Sequence, residues 1–369
     1  MANPVRIFLH HVVGAVLLTA VTFGLAACDV TSGIDNSNDD GFDVSCSLDE
    51  SRLVDGGVGR DGIPALDNPA LVAASEASYL ADTDRVIGVL VDGEPYAIPH
   101  NILWWHEIVN VDAQGTPLAI TYCPLTGSSM AFDRAAVDGA TLGVSGLLFN
   151  NNLTMFDRRS NESLWPQMNR QASCGPADGT ELAMHPVFEM TWAGWQSLHP
   201  DTEVLSNNTG FDRVYTANGY PYGDYEEIDN DRLLFSMPID DTRPPKERLL
   251  GLPAGEGGTA FPFGELDTGA PFTVVEHTHQ GEPVVIFWDA ERRGAMAFRA
   301  RTNGEPVRFA VEDGRIRDEA TGSTWTVDGR AVEGPRAGTQ LDPIADAYVA
   351  FWFAWAEFQP DTDLWTANQ

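Results

Sequence analysis

Cys123 ends an apolar, β-branched run and directly precedes a Pro-Leu-Thr-Gly turn, in the segment ITYCPLTGSSMAFDR at residues 120–134. His106 and His100 lie a short distance upstream, in HNILWWHEIVN. Because a thiolate together with imidazoles suits Cu(I) or Zn(II), Cys123, His106 and His100 are candidate metal ligands, with copper or zinc as the candidate cofactor. No Cys-x-x-Cys or His-Glu-x-x-His pattern accompanies them.

The same residues allow a second chemistry, in which Cys123 is a nucleophile. A nucleophilic thiol needs an imidazole to take its proton and a third group to orient that imidazole. His106 would be the base, and Glu107 or Asn110 would orient it. On a third interpretation Cys123 is a small buried residue without chemistry, and the chain is a non-catalytic module that binds a ligand or a partner.

Two Asp-Arg pairs each end an apolar run, at residues 133–134 and 157–158. Such pairs are commonly structural ion pairs or turn caps. Alternatively, Arg134 and Arg158, with Asp157, line a cleft in which a guanidinium binds an anionic group of a ligand.

The elements that position these residues are mostly strands. RVIGVLV and EPYAI flank Asp92-Gly93, which predicts a β-hairpin. HNILWWHEIVN has apolar residues at helical spacing, so it predicts a short helix that begins near His100 and carries His106 and Glu107. Residues 70–80 predict another short helix, and WAGWQSLHP a further one.

Five short blocks recur in the same order, at offsets between 160 and 166 residues. They are AIP and AFP (97 and 260), GTP and GEP (115 and 281), SMAF and AMAF (129 and 295), SLW and STW (163 and 323), and TWAGWQSLHPDTEVL and FWFAWAEFQPDTDLW (191 and 351). The pattern predicts a β-rich α+β fold, built from two packed pseudo-repeats of a hairpin and a short helix.

The second copy lacks the residues that could do chemistry. Cys123 aligns with Trp288 or Asp289, and His106 aligns with residues 267–271, which contain no histidine. We therefore expect a functional first repeat at 56–210, a connector at 211–247 and a supporting second repeat at 248–369.

The N-terminus resembles an export signal. Arg6 precedes an apolar run at residues 12–23, and Leu-Ala-Ala-Cys follows, ending at Cys28. The pattern predicts a lipoprotein signal peptide at 1–27, a lipid-bearing Cys28 and a flexible tether at 28–55. The protein would be held on an envelope membrane through this lipid, facing the periplasm or the exterior.

Apart from Cys28, the chain has three cysteines. In an exported protein, the oxidising surroundings allow two of them to form a disulfide. Cys46 and Cys174 lie in loop-like sequence, whereas Cys123 ends a strand-like run. We therefore predict a disulfide between Cys46 and Cys174 and a free thiol at Cys123.

The net charge of −32 comes from 54 acidic and 22 basic residues spread along the chain. Such a surface repels phosphate backbones, so nucleic-acid binding is not expected. It suits solubility in a salty environment, and it identifies no protein partner.

The motifs GRDGIPALDNP, RVIGVLVDGEPYAIP, WHEIVN, TYCPLTG and LGVSGLLFNNNLTMFDR resemble the bacterial and archaeal family called domain of unknown function 3179. The resemblance covers most of the mature chain and implies an exported or lipid-anchored protein without an assigned activity. Many relatives carry a second cysteine in the turn, where this chain has Thr126. Without it, a dithiol redox couple or a two-cysteine metal clamp cannot form at this turn.

Overall fold

The computed structural model describes residues 46–159, 161–255 and 257–367. The predicted signal peptide, the lipidation site Cys28 and most of the predicted tether lie outside these residues. The structure is 42% strand and 13% helical, which confirms a β-rich α+β fold. None of the helices in the described part of the chain is long and apolar enough to cross a membrane.

The described helices are short. They are α1 (His100–His106), α2 (Trp192–Leu198), α3 (Phe263–Leu266) and α4 (Trp352–Phe358), with 3-10 turns at Glu50–Arg52, Ala74–Glu76, Arg134–Val137, Gln167–Asn169 and Ala217–Gly219.

The described strands fall into two runs along the chain. Those before residue 206 are β1 (Leu53–Asp55), β2 (Leu66–Asp67), β3 (Leu71–Ala73), β4 (Arg85–Val91), β5 (Glu94–Pro99), β6 (Ile108–Ala113), β7 (Thr116–Cys123), β8 (Ser128–Asp133), β9 (Leu142–Phe149), β10 (Asn152–Asp157), β11 (Leu164–Pro166), β12 (Met184–His185), β13 (Phe188–Thr191) and β14 (Glu203–Leu205). Those after residue 247 are β15 (Arg248–Ala254), β16 (Gly257–Pro262), β17 (Phe272–His279), β18 (Glu282–Asp289), β19 (Gly294–Arg299), β20 (Arg301–Thr302), β21 (Glu305–Pro306), β22 (Phe309–Glu312), β23 (Arg315–Asp318), β24 (Thr324–Trp325), β25 (Ala331–Glu333), β26 (Tyr348–Phe351) and β27 (Asp361–Leu364).

The largest sheet joins strands from both runs, in the order β2-β6-β7-β8-β26-β15-β16-β27, with β12 on β8. Strand β7 lies inside this sheet and is buried on both faces. Because side chains alternate along a strand, Ala119 and Cys123 enter one hydrophobic core, while Leu118, Ile120 and Tyr122 enter another. This alternation decides what each residue of β7 can contact.

The predicted hairpin is present as β4 and β5, and Asp92 and Gly93 both have positive φ, as the tight turn requires. It belongs to the sheet β13-β4-β5-β14-β3, and α1 follows β5 and packs against β7. The predicted helix at 70–80 is wrong: Leu71 begins a strand that pairs with β14, and only a 3-10 turn follows. Pairing with a distant strand outweighs the local helical pattern there.

Smaller sheets complete the fold: β1-β9-β10-β11, β17-β18-β19, β20-β21 and β22-β23-β24-β25. The order of hairpin, short helix and three antiparallel strands occurs at β4-β5-α1-β6-β7-β8 and again at β15-β16-α3-β17-β18-β19.

The end of the predicted tether is fixed to the domain. Cys46 forms the predicted disulfide with Cys174, with their Cα atoms 4.0 Å apart. Strand β1 then pairs with β9, Leu53 opposite Phe149. The predicted tether boundary at residue 55 is therefore too late, because residues 46–55 are held by a covalent bond and by strand pairing.

Candidate functional site

Cys123 is a free, fully buried thiol. Its Sγ accepts a hydrogen bond from the Leu153 amide at 3.4 Å and lies 3.9 Å from the Asn151 carbonyl oxygen, to which it donates. Burial, with a further contribution from the Glu107 carboxyl, raises the pKa of the thiol to about 11. The thiol is therefore protonated near neutral pH and is not an activated nucleophile.

His106 has no contact with the thiol, because both of its ring nitrogens have other partners. Nδ1 lies 2.7 Å from the Pro64 carbonyl oxygen, and Nε2 lies 2.7 Å from the Tyr215 hydroxyl. Burial lowers the pKa of His106. A neutral ring must donate from Nδ1 to the carbonyl and accept at Nε2 from the hydroxyl, so neither nitrogen remains for Cys123 or for a metal ion.

His100 lies at the start of α1, as predicted. Its ring packs on Tyr122 with centroids 4.1 Å apart, and its Nε2 lies 3.7 Å from the buried carboxylate of Glu189. Burial lowers the pKa of His100 to about 3. Tyr122 faces the core on the other side of β7 from Cys123, so the structure does not assemble the three predicted metal ligands. No group of three or more His, Cys, Asp or Glu side chains in the described residues could hold a metal ion.

Asn110 and Arg134 are structural. The Asn110 amide donates to Asp67 at 2.8 Å and exchanges hydrogen bonds with the backbone of Leu142, so it joins neighbouring strands rather than orienting His106. The buried Arg134 guanidinium donates to backbone carbonyl oxygens and to Asp112. Four of the five N–H donors of Arg134 therefore have protein acceptors, and the side chain is buried, so it is poorly placed to bind an anionic ligand.

Asp157 and Arg158 are also paired with protein groups. Asp157 accepts hydrogen bonds from the Trp165 indole at 2.9 Å, from the Ser163 amide and from Arg159. Arg158 makes two hydrogen bonds, of 2.8 and 2.6 Å, to the carboxylate of Asp61. The structural interpretation of these pairs is therefore supported, and the predicted anion site is not.

Glu107 is the member of the predicted set with an unusual environment. Its backbone ends α1 with φ of 55°, donates to the Leu103 carbonyl and accepts from the Tyr122 amide. Its side chain is only 5% exposed, and the carboxyl makes no hydrogen bond or ion pair with any described residue. Burial raises its pKa to about 8, so the carboxyl is mostly protonated at pH 7.

The Glu107 carboxyl lines a cavity of about 250 Å³. Apart from Glu107 and Tyr222, the lining residues are apolar or glycine: Gly56, Val58, Ile63, Leu125, Val144, Gly146, Leu147, Leu148, Leu153, Leu234 and Phe235. Leu125 and Leu153 lie next to Cys123 in the same core, so the thiol is beneath the floor of this cavity.

One wall of the cavity comes from residues 222–235, which we call the strap. Between β14 and β15 the chain forms no helix or strand except the 3-10 turn at residues 217–219. The strap contributes Tyr222, Leu234 and Phe235 to the lining. The Asn151 side chain holds it by donating to the Phe235 carbonyl oxygen at 2.9 Å.

Lys246, the single lysine of the chain, fixes the strap from the other side. Its buried ammonium donates to the carbonyl oxygens of Tyr225, Asn230 and Arg232 at 3.0, 3.4 and 2.9 Å. It also lies 3.5 Å from the centre of the Tyr225 ring. Burial lowers the pKa of Lys246 to about 8. Neither the strap nor Tyr215 had a sequence signal beyond loop composition, because their roles depend on contacts far along the chain.

A family model described as protein of unknown function (DUF3179) matches residues 60–362. No curated protein and no solved structure matches the chain.

Proposed function

We propose that this chain, which belongs to the DUF3179 family of proteins of unknown function, binds a small apolar molecule in the cavity around Glu107. The observation that carries the proposal is the buried Glu107, whose carboxyl has no hydrogen-bond or ion-pair partner among the described residues and which lines a mostly apolar cavity. Apolar pockets with a few convergent polar groups are typical ligand sites.

The size of the cavity limits its ligand. Its volume of about 250 Å³ is below the roughly 300–1,000 Å³ of pockets for drug-sized molecules. The ligand is therefore a small compact molecule rather than a lipid or a peptide. The walls provide hydrophobic stabilisation, and the polar side chains orient the ligand.

Screening small apolar fragments by ligand-observed NMR tests this proposal. Leu234→Trp places an indole in the cavity mouth, at a strap residue that is 39% exposed. Val311→Trp, at an equally exposed position on β22, is the matched control. We expect fragments that bind the wild type and the control but not Leu234→Trp. A screen in which no fragment distinguishes the two variants would refute the proposal.

The metal and nucleophile hypotheses for Cys123 have less support than ligand binding. His106 and His100 have partners on the other side of β7, and burial keeps the thiol protonated. Both hypotheses need an imidazole near the sulfur, and the described residues offer none.

We also propose that the protein is exported and anchored through a lipid on Cys28. The support is the apolar run followed by Leu-Ala-Ala-Cys and the disulfide between Cys46 and Cys174, which suits an oxidising compartment. The acidic surface fits salty surroundings. Mass spectrometry of the mature N-terminus should find an acylated Cys28, and Cys28→Ala should move the protein from the membrane to the soluble fraction. An unmodified Cys28 at the mature N-terminus would contradict the anchor.

The pseudo-repeat is likewise proposed, and matched contacts support it. The Trp195 indole donates to Thr202 Oγ1 at 3.0 Å, and the Trp355 indole donates to Thr362 Oγ1 at 2.8 Å. Each tryptophan is the fourth residue of a short helix that directly follows a strand. Trp195 lies in α2, which follows β13, and Trp355 lies in α4, which follows β26.

A second matched pair supports the same proposal. The indoles of Trp165 and Trp325 donate to the carboxylates of Asp157 and Asp318, at 2.9 and 3.1 Å. Asp267 follows α3 as Glu107 follows α1, but Asp267 does not line the cavity that contains Glu107. Duplication followed by specialisation of the first copy accounts for this difference.

A further inference from the structure

We infer that the cavity selects an electrically neutral molecule with a hydrogen-bond acceptor oxygen, such as a ketone, ester or ether, and that Glu107 donates the hydrogen bond to it. The inference rests on the proposed function, and it names the class of ligand. Glu107 is a deeply buried residue that lines the cavity, and no residue in the described part of the chain makes a hydrogen bond or ion pair with its carboxyl.

The second polar lining residue strengthens the inference. Tyr222 also lines the cavity. Burial raises the pKa of Tyr222, and the nearby Glu107 carboxyl raises it further, so the phenol is neutral and can donate. A neutral carboxylic acid and a phenol in an apolar site form a pair of donors suited to one acceptor oxygen.

Anionic ligands do not fit this site. None of the described residues that line the cavity is a lysine, arginine or histidine, so a carboxylate or phosphate would be buried without a countercharge from them, which is unfavourable. The net charge of −32 on the chain also repels anions before they reach the cavity.

Cationic ligands fit less well than neutral acceptors. An ammonium group would need Glu107 in its ionised form as its partner. With a pKa of about 8, the carboxyl is mostly neutral at pH 7, so an ammonium ligand must first displace the carboxyl proton and must then lose its own hydration. A ketone or ether needs neither step, because it accepts a hydrogen bond from the protonated carboxyl.

Four probes with the same six-membered ring test the inference: cyclohexanone, cyclohexylammonium, cyclohexanecarboxylate and methylenecyclohexane. Their dissociation constants would be measured by NMR titration at pH 6.5 on the full chain carrying Cys28→Ala, so that no detergent or lipid competes for the probes. We expect cyclohexanone to bind about tenfold more tightly than each of the other three, since a buried hydrogen bond contributes about that factor.

Two variants distinguish the effect of the Glu107 hydrogen bond on binding from the effect of the shape of the cavity. Glu107→Leu removes the donor. We expect this variant to bind cyclohexanone about tenfold more weakly and to bind methylenecyclohexane with unchanged affinity. Glu107→Gln keeps a neutral donor of similar size and should keep cyclohexanone binding within a few-fold. Above a pH of about 8, wild-type affinity for cyclohexanone should fall as the carboxyl ionises, whereas the affinity of Glu107→Gln should stay constant.

The outcomes distinguish this inference from the proposed function. If methylenecyclohexane or cyclohexylammonium binds as well as cyclohexanone and Leu234→Trp blocks it, the cavity is a ligand site but the ligand class is wrong. Equal loss of cyclohexanone binding at high pH in the wild type and in Glu107→Gln also overturns the inference. If Leu234→Trp blocks none of the four probes, the proposed function fails as well.

Discussion

The Tyr225 hydroxyl donates a hydrogen bond of 2.9 Å to the carbonyl oxygen of Leu125, in the turn that follows Cys123. Both residues are buried, and both belong to the core that contains the thiol. This bond ties the strap to the Cys123 turn, although the two are 100 residues apart in the chain. A hydrogen bond therefore joins the strap, which forms one wall of the cavity, to the turn that contains the lining residue Leu125.

Tyr225→Phe tests this connection. The substitution keeps the ring but leaves the Leu125 carbonyl oxygen without its donor, so we expect the free energy of unfolding to fall by about 1–2 kcal/mol. Chemical denaturation measures this change, and hydrogen exchange should become faster in the strap. Tyr220→Phe is the matched control, because the buried Tyr220 hydroxyl has no hydrogen-bond partner among the described residues. Equal effects of the two substitutions would contradict the role of the Tyr225 bond.

Lys246→Met is expected to release the strap. The variant keeps an apolar side chain of similar length but removes the donor for three strap carbonyl oxygens. We expect a loss of about 2–4 kcal/mol in stability. Limited proteolysis should cut within residues 222–235, whereas the wild type should resist. A variant with wild-type protection of the strap would show that other contacts hold it.

The burial of Glu107 should make stability depend on pH. The pKa of Glu107 rises from 4.5 to about 8 on folding, so between these pH values the folded state binds more protons than the unfolded state. The contribution of Glu107 to the free energy of unfolding therefore decreases as pH rises above about 4.5, by up to about 1.4 kcal/mol per pH unit. The decrease is complete above a pH of about 8. Urea denaturation across this range should show the slope in the wild type and a smaller slope in Glu107→Gln. The exposed Glu94→Gln is the control and should keep the wild-type slope.

Local features of the fold could be predicted from the sequence. The Asp92-Gly93 turn specifies its hairpin through local backbone geometry. The disulfide followed from the loop-like surroundings of Cys46 and Cys174. These predictions succeed because turn geometry and loop composition are properties of a few neighbouring residues.

The candidate site could be predicted only in part. Cys123 and His106 are close in sequence, but the alternation along β7 turns Cys123 away from the core that contains Tyr215. Glu107 was included only as an orienting group. Its importance comes from a cavity whose wall is the strap, and periodicity within either segment cannot reveal a contact between segments so far apart.

The two halves offer a matched test of the proposed repeat. A Cβ added at Gly88 would meet the Trp195 ring at 2.3 Å, and one added at Gly251 would meet the Trp355 ring at 2.0 Å. Contacts below 3.0 Å force the indole or a strand to move. We therefore expect Gly88→Ala and Gly251→Ala each to lower stability by about 1–3 kcal/mol, measured by thermal or urea unfolding. A large effect in one variant and none in the other would weaken the proposal that the two contacts are equivalent.

The reactivity of Cys123 decides between an inert thiol and a metal or nucleophile site. Because the sulfur is buried and its pKa is raised to about 11, we expect iodoacetamide to leave it unmodified at pH 8 in the folded protein and to alkylate it in urea. Mass spectrometry of the peptide containing Cys123 measures the adduct. Adding Zn(II), or Cu(I) under reducing conditions, should not change the extent to which Cys123 is alkylated in the folded protein. Rapid alkylation of the folded protein that a stoichiometric amount of metal suppresses, and that His106→Ala alters, would instead support the metal site that the sequence suggested.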